Sequence, residues 1–363
     1  MDVIEMVRMA APHAEIDEAL VASTRHRVMA EVRGGKKAKA TRRRARGFAW
    51  AGGVVGVGAA AAVAAVVATN LLPVDPETPG IPPGLVPAPA SASEVLERAA
   101  ERTASGDALV PGDGQYLRID ETMAFLEFSI ADAATGELMP MGNRENAEAA
   151  FVTSRTTSLY VPADREDEWV WDLRGPWSVG EQWGADSASA VQVWERLQQD
   201  GSDTPELWRL PGGRDSQNTE SPDATLDGRE KFAEMPRDPQ ALLDWFRQQS
   251  GAEGAEADAT AVWVMSSTLS SALAPADLRA SIFQALALVD GMQVDDPEAD
   301  LADFTFSASG DDWTRTLHFT LDTQRSLITE LSDTMLPAGD SIVPDEIPNE
   351  QRSVQVSIVD TAP

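Results

Sequence analysis

The 363-residue chain contains no cysteine, two tyrosines and three histidines. Without cysteine there are no structural disulfides, no thiolate zinc sites and no lipid attachment through an N-terminal cysteine. Two of the three imidazoles, His13 and His26, fall in the first 47 residues, which leaves His318 alone in the rest of the chain. A metal centre built on imidazoles is thereby excluded from that larger part, and a Ser-His-Asp triad there would have to use His318. Basic residues are scarce in the same region. After residue 47 the chain carries 18 Lys and Arg against 53 Asp and Glu, a net of −35, whereas residues 1–47 carry 11 against 6, a net of +5. So acidic a region repels nucleic acid.

Charge disappears altogether between Phe48 and Leu72, 25 residues preceded by ten Lys and Arg from Arg25 to Arg46 and followed by Asp75 and Glu77. As a helix this run would be roughly 38 Å long, enough to cross a hydrocarbon core of about 30 Å with some tilt. The basic flank, with Arg42, Arg43, Arg44 and Arg46 nearest the run, is expected to stay in the cytoplasm and set the orientation. The rival reading is a secretory signal cleaved after Val66, Val67 and Ala68, but 47 residues precede the run, far more than the charged region of a signal holds. Gly52, Gly56, Ala60, Ala64 and Ala68 recur every fourth residue, a spacing that would let a second helix approach in a dimer through the span, although with 13 Gly or Ala in 25 positions such a stripe also arises by chance.

The sequence therefore divides into a basic cytoplasmic tail (1–47), a transmembrane helix (48–72), a Pro-rich stalk (73–92) and an acidic extracytoplasmic domain (93–363). In the tail, Ile16, Leu20, Thr24, Val28 and Val32 form one helical stripe with no core of its own to cover it. The stripe can pack on a cytoplasmic partner, lie on the bilayer or stay disordered. Seven prolines between Pro73 and Pro89 favour extended polyproline backbone, a spacer of roughly 50 Å.

Beyond it, the pattern predicts a helix capped by Ser93, strand structure from Gln115 to Ile130 and from Phe151 to Leu173, and a long loop around Gly212 to Gly228. Helices follow at Pro239 to Gln249 and Pro275 to Val289. Period-two alternation then marks Phe304 and Phe306, Trp313 to Leu321 and Val354 to Ile358 as strands with one covered face. The expected fold class is α+β: a curved, half-barrel-like antiparallel sheet with helices packed on its concave side.

Signals for chemistry are few. Runs such as Asp164 to Glu168 and Asp295 to Asp300 lack the turn Gly and distal Glu of an EF-hand loop, and read as solvated surface. Gly339, Asp340, Ser341 and Ile342 look like the nucleophile block of GDSL-type esterases, yet no histidine follows Ser341 and the block lies near the end of the chain. Paired carboxylates of the glycosidase kind carry no information where acids are so abundant. No catalytic residue, metal site or cofactor is assigned. Five tryptophans, Trp169, Trp171, Trp177, Trp183 and Trp194, fall within 26 residues. Core is the first reading for them; an aromatic pocket for a lipid, glycan or peptide is the second, with Trp177 and Trp183 as its candidates.

The basic tail, Ala/Val-rich span and Pro-rich stalk, together with the phrases SEVLERAA (93–100), GDGQYLRI (112–119), MPRDPQALLDWFR (235–247), LAPADLRASIFQALALVDGMQV (273–294) and LHFTLDTQRSLITEL (317–331), resemble a family of single-pass envelope proteins from high-GC Gram-positive bacteria. That family is functionally uncharacterised, and its members are often encoded beside extracytoplasmic-function sigma factors. The resemblance implies a role in envelope signalling, with a sigma factor or other regulator as cytoplasmic partner. The tail departs from zinc-binding anti-sigma proteins, having no cysteine. The domain also looks distantly like the half-barrels that carry lipoproteins or sense them, which implies a lipid or lipoprotein carrier as the alternative.

Overall fold

The computed structural model of the protein describes residues 90–106, 109–132, 136–200, 207–214, 226 and 228–363. The anticipated tail helix, membrane span and most of the stalk lie outside them. Helices α1 (Ala92–Ala104), α2 (Ser187–Asp200), α3 (Arg229–Phe232), α4 (Pro239–Ser250), α5 (Ala255–Ser270) and α6 (Ala276–Ala287) accompany eleven strands among the described residues. These are β1 (Tyr116–Ala131), β2 (Leu138–Met139), β3 (Ala149–Pro162), β4 (Glu168–Asp172), β5 (Ser178–Trp183), β6 (Leu207–Pro211), β7 (Gln293–Asp295), β8 (Leu301–Ser309), β9 (Trp313–Asp322), β10 (Leu327–Pro337) and β11 (Glu350–Val359).

All pairings are antiparallel, in the order β6-β4-β3-β1-β11-β10-β9-β8-β7, with β2 added to β1 and β5 to β3. The sheet is open, and the molecule is α+β.

Local chemistry explains the helix ends. α1 starts two residues earlier than its sequence suggests: Ser91, and not Ser93, is the cap. The Ser91 hydroxyl accepts from the Glu94 amide at 3.3 Å while the Glu94 carboxylate accepts from the Ser91 amide at 2.6 Å. This reciprocal box needs a Glu three residues on, which Ser91 has and Ser93, followed by Leu96, lacks. α4 has Asp238 as cap, Pro239 in its first turn and ends at Gly251, whose φ of 65° suits a residue without Cβ.

The helices lie against one face of the sheet, here the inner face. Ala302, Phe304 and Phe306 of β8, Leu317, Phe319 and Leu321 of β9, and Ile328 and Leu331 of β10 are buried there with Leu96, Leu242, Phe246, Met265, Leu278, Ile282 and Phe283 from the helices. Phe304 and Phe319 sit opposite each other and stack at 4.7 Å. Burial of each such side chain contributes about 1.5–3 kcal/mol. α5 is enclosed on several sides, burying Ala257, Ala259, Ala261, Val262, Trp263, Met265 and Leu269. That is why its sequence shows no amphipathic stripe.

Elsewhere the inner face is served by smaller clusters. Trp169, Trp208 and Leu210 pack with Leu117, Ile119, Val354 and Val356. Phe151 and Ala149 of β3 pack under Ala190, Val191 and Trp194 of α2. The segment read from sequence as a loop from Gly212 is preceded by a true edge strand, β6, while most of that loop lies outside the described residues.

Candidate functional site

The two faces of the sheet offer different chemistry. On the inner face a belt of charge crosses β1, β11, β10 and β9 beside α5. Arg315 makes a two-pronged bond to Asp333, at 2.9 and 2.7 Å, and reaches Thr260 of α5 at 3.3 Å. Next to it Arg352 donates to Glu350 at 2.6 Å, lies 3.5 Å from Glu121, and places its guanidinium 5.6 Å from the Trp263 ring. Burial pushes the Glu350 carboxyl up, against the opposing pull of Arg352. For Arg352 burial alone would lower the pKa, but Glu350 and Glu121 more than offset it and the guanidinium is held charged. Glu127, farther along β1, is also pushed up by burial, and its described hydrogen bond is a long one from Thr153 at 3.3 Å. Arg315 and Arg352 tie α5 to the sheet, whereas Glu127 bonds within it.

The outer face over β8 to β10 is a ladder of hydroxyls. Ser309 meets Thr314 at 3.2 Å, Ser307 meets Thr316 at 3.3 Å, Thr305 meets His318 Nδ1 at 2.9 Å, and Thr320 donates to Asp303 at 2.6 Å. His318 lies on this exposed face with its threonine neighbours, as the alternation predicts. Burial by neighbouring side chains lowers its pKa, with Asp303 and Asp295 acting against that. A depression of about 120 Å³ beside it is lined by Asp303, Thr320, Glu330, Ser332 and Gln351. Ser332 and Thr320 bring hydroxyls to it, and the His318 Nδ1 is joined to Thr305. Ser341 is instead in a turn, its hydroxyl accepting from the Val343 amide at 3.1 Å. Among the described residues no group of three or more His, Asp or Glu is arranged to hold a metal ion.

The two tryptophans proposed as pocket walls are not brought together. Trp177 packs on the inner face with Val179, its ring 5.4 Å from Trp194 at an edge-to-face angle and under the Arg155 guanidinium at 5.6 Å. Trp183 packs on the outer face with Leu126, Phe128, Ala150 and Val152. A register shift between Phe151 and Thr153 in the β3–β5 ladder is the cause. Residues 177, 179 and 183 have the same parity, so a regular strand would put all three side chains on one side; the extra residue in β5 turns Trp183 over. No composition or spacing signal announces that bulge.

Trp183 therefore belongs to an apolar patch that sequence reading missed. Ile130 of β1 pairs with Met139 of β2, and Gly142 lies over Phe128 and Ile130, so close that a Cβ there would stand 3.1 Å from Ile130 Cγ2. The loop 338–349 closes one side through Val343 and Ile347. Arg144, 3% exposed, pins that loop by donating to the carbonyls of Val343, Pro344 and Ile347 and to Asn349 Oδ1. Its pKa is lowered by burial, with Asp345 opposing.

The tail positions Ile16, Leu20, Thr24, Val28 and Val32 and the arginines Arg42, Arg43, Arg44 and Arg46 lie outside the described residues. Within those residues no helix is long and apolar enough to cross a membrane. Comparisons of the chain with known protein families, with curated proteins and with solved structures give no match.

Proposed function

We propose that the chain is a non-enzymatic, membrane-anchored envelope protein, a regulator or sensor that couples a ligand-binding extracytoplasmic domain to a cytoplasmic partner in the manner of an anti-sigma protein. The observation that carries this reading is the partition of charge about the uncharged run 48–72: a net of +5 before it and −35 after it. Residues 1–47 lie in the cytoplasm, the stripe from Ile16 to Val32 engages the partner, and the acidic domain meets the envelope ligand. A single span transmits a signal by changing association, tilt or susceptibility to proteolysis, so the tail must have something to hold or release.

The packed inner face supports regulation over lipid carriage. A carrier with a half-barrel cavity needs vacant apolar volume, whereas the face over β8 to β10 is filled by Phe283, Phe304, Phe319 and Met265, each 3% exposed or less. The half-barrel-like curvature of the sheet belongs to the same proposal.

The test is photocrosslinking in cells from a probe at Leu20 or Val28, with adducts identified by mass spectrometry. A sigma factor or another defined cytoplasmic protein captured at near-stoichiometric yield is the expected result; capture of lipid alone, or of nothing, contradicts the role of the tail.

A further inference from the structure

The outer face changes character at one end of the sheet. Over β8 to β10 it presents hydroxyls and carboxylates; around the end of β1 it presents Phe128, Ile130, Val152 and Trp183, all incompletely covered. The segments that bear it add exposed apolar side chains, Met139, Met141 and Ile342, at 40%, 60% and 40% exposure. Tryptophan, phenylalanine and methionine are the side chains that protein interfaces gather, and unbranched methionine adapts to the shape of what it meets. A contiguous surface of this kind, with its loop pinned in place by Arg144, is organised to be covered.

The charge around it indicates by what. The segments that bear the patch, 137–148, 178–186 and 338–349, contain eight Asp and Glu and a single cation, Arg144, which is buried and committed to loop carbonyls. Glu145, Glu148, Glu181, Asp340 and Glu346 are exposed and none forms an ion pair among the described residues, while the exposed Asp345 acts on the charge of Arg144. Elsewhere on the sheet some carboxylates are matched, Asp120 by Arg118 at 2.8 Å, Asp172 by Arg174 at 2.7 Å and Glu168 by Arg209 at 2.7 Å, while Asp303 and Glu330 on the outer face form no ion pair among the described residues. The patch thus joins an apolar centre to an uncompensated acidic rim. Anionic lipid and nucleic acid are repelled by such a rim, and a neutral lipid surface gains nothing from it.

We infer that the Trp183 face docks a cationic amphipathic segment of a partner protein. Its apolar residues, spaced by three and four along a helix, seat on Trp183, Phe128 and Met141, and its lysines and arginines meet Glu145, Glu181 and Glu346. This inference goes beyond the topology proposed above and does not depend on it.

The test uses the full chain in nanodiscs of neutral phosphatidylcholine. The probes are a fluorescein-labelled amphipathic peptide of Leu and Lys and its Leu and Glu counterpart, followed by anisotropy at about 150 mM salt, where exposed charges more than a Debye length apart are largely screened. The Lys peptide is expected to bind saturably and the Glu peptide not to bind. Met139→Ser combined with Met141→Ser, and separately Glu145→Lys combined with Glu346→Lys, should each weaken binding by about tenfold or more, a change of about 1.4 kcal/mol. All four positions are exposed, so the fold should survive, while Thr316→Ala on the hydroxyl ladder should leave binding unchanged. The inference is overturned if the Lys peptide does not bind, if it binds empty nanodiscs as well, if the Glu peptide binds equally, or if neither double variant changes the affinity. Co-elution of the chain with the nanodisc reports membrane anchoring from the same preparation, so a failure of either reading is seen separately.

Discussion

Over β8, β9 and β10 the inner face of the sheet is covered by α1, α4, α5 and α6, and one continuous cluster of aliphatic and aromatic side chains is buried between them. Over β1, β3, β4 and β6 the same face relies on two smaller clusters, one around Trp169 and one where α2 lays Trp194 against Phe151. The outer face differs in the same sense: a regular polar ladder on the first half, and on the second an apolar patch around Trp183 with unmatched acids at its rim. The contrast separates two tasks. The first half holds the larger core, with one register shift of its own between Ile328 and Glu330, and the second carries the β3–β5 bulge and the loop that Arg144 pins, where the docking surface is proposed.

The largest effect that would sharpen this contrast is expected in the first half. Phe283→Ala empties a fully buried position and should cost about 3–5 kcal/mol, lowering the urea midpoint of the whole domain. An equal loss confined to residues near α6, with β1 and β3 unaffected, would break the comparison.

Arg144→Ala should cost about 2–3 kcal/mol, since charge-assisted bonds to buried loop carbonyls are lost together. The loss should appear first as faster amide exchange in 338–349, ahead of β8 and β9. Uniform acceleration across the sheet would show that the patch is not a separable region.

A smaller effect concerns pH. Burial raises the Glu127 pKa in the folded state above its unfolded value, so the fold prefers the neutral carboxyl. The stabilisation is fully present below the unfolded pKa and is lost as pH rises through the folded one. Glu127→Gln should remove that part of the pH dependence and leave the domain more stable at neutral pH, as measured by urea titration at a series of pH values. A variant less stable at neutral pH would mean that the ionised group has a partner that matters.

The smallest effect is at the exposed Arg209–Glu168 pair, 52% and 48% accessible at their side chains, where Arg209→Ala should change stability by no more than about 1 kcal/mol.

The legible parts of the fold were those whose side chains alternate or recur against a single covered face. β8, β9 and β11 show period two, α4 opens at Pro239 and α6 follows Pro275, so their positions can be read within a few residues. α5 is enclosed and has no stripe to mark it, and Ser93, immediately before Glu94, reads as a cap as readily as Ser91, which is the cap. β10 runs through Ser332, Asp333 and Thr334 with polar groups on both faces because Asp333 answers Arg315, which hides its alternation. The site was less legible still. Trp183 stands out in the sequence for its setting among Gly, Pro and Ser, but its separation from Trp177 depends on a one-residue bulge, and Val343 and Ile347 reach the patch only through the loop that Arg144 holds.

The central claim, that the uncharged run divides the chain across a membrane, is open to a direct measurement because the chain has no cysteine. A single cysteine placed at Ala22 in the tail or at Met141 in the acidic domain is the sole thiol of the chain, and its labelling on intact cells by a membrane-impermeant maleimide is read on the purified protein. The account predicts that Met141→Cys is labelled without permeabilisation and Ala22→Cys only after it. Equal labelling of both before permeabilisation, or of neither, would contradict it.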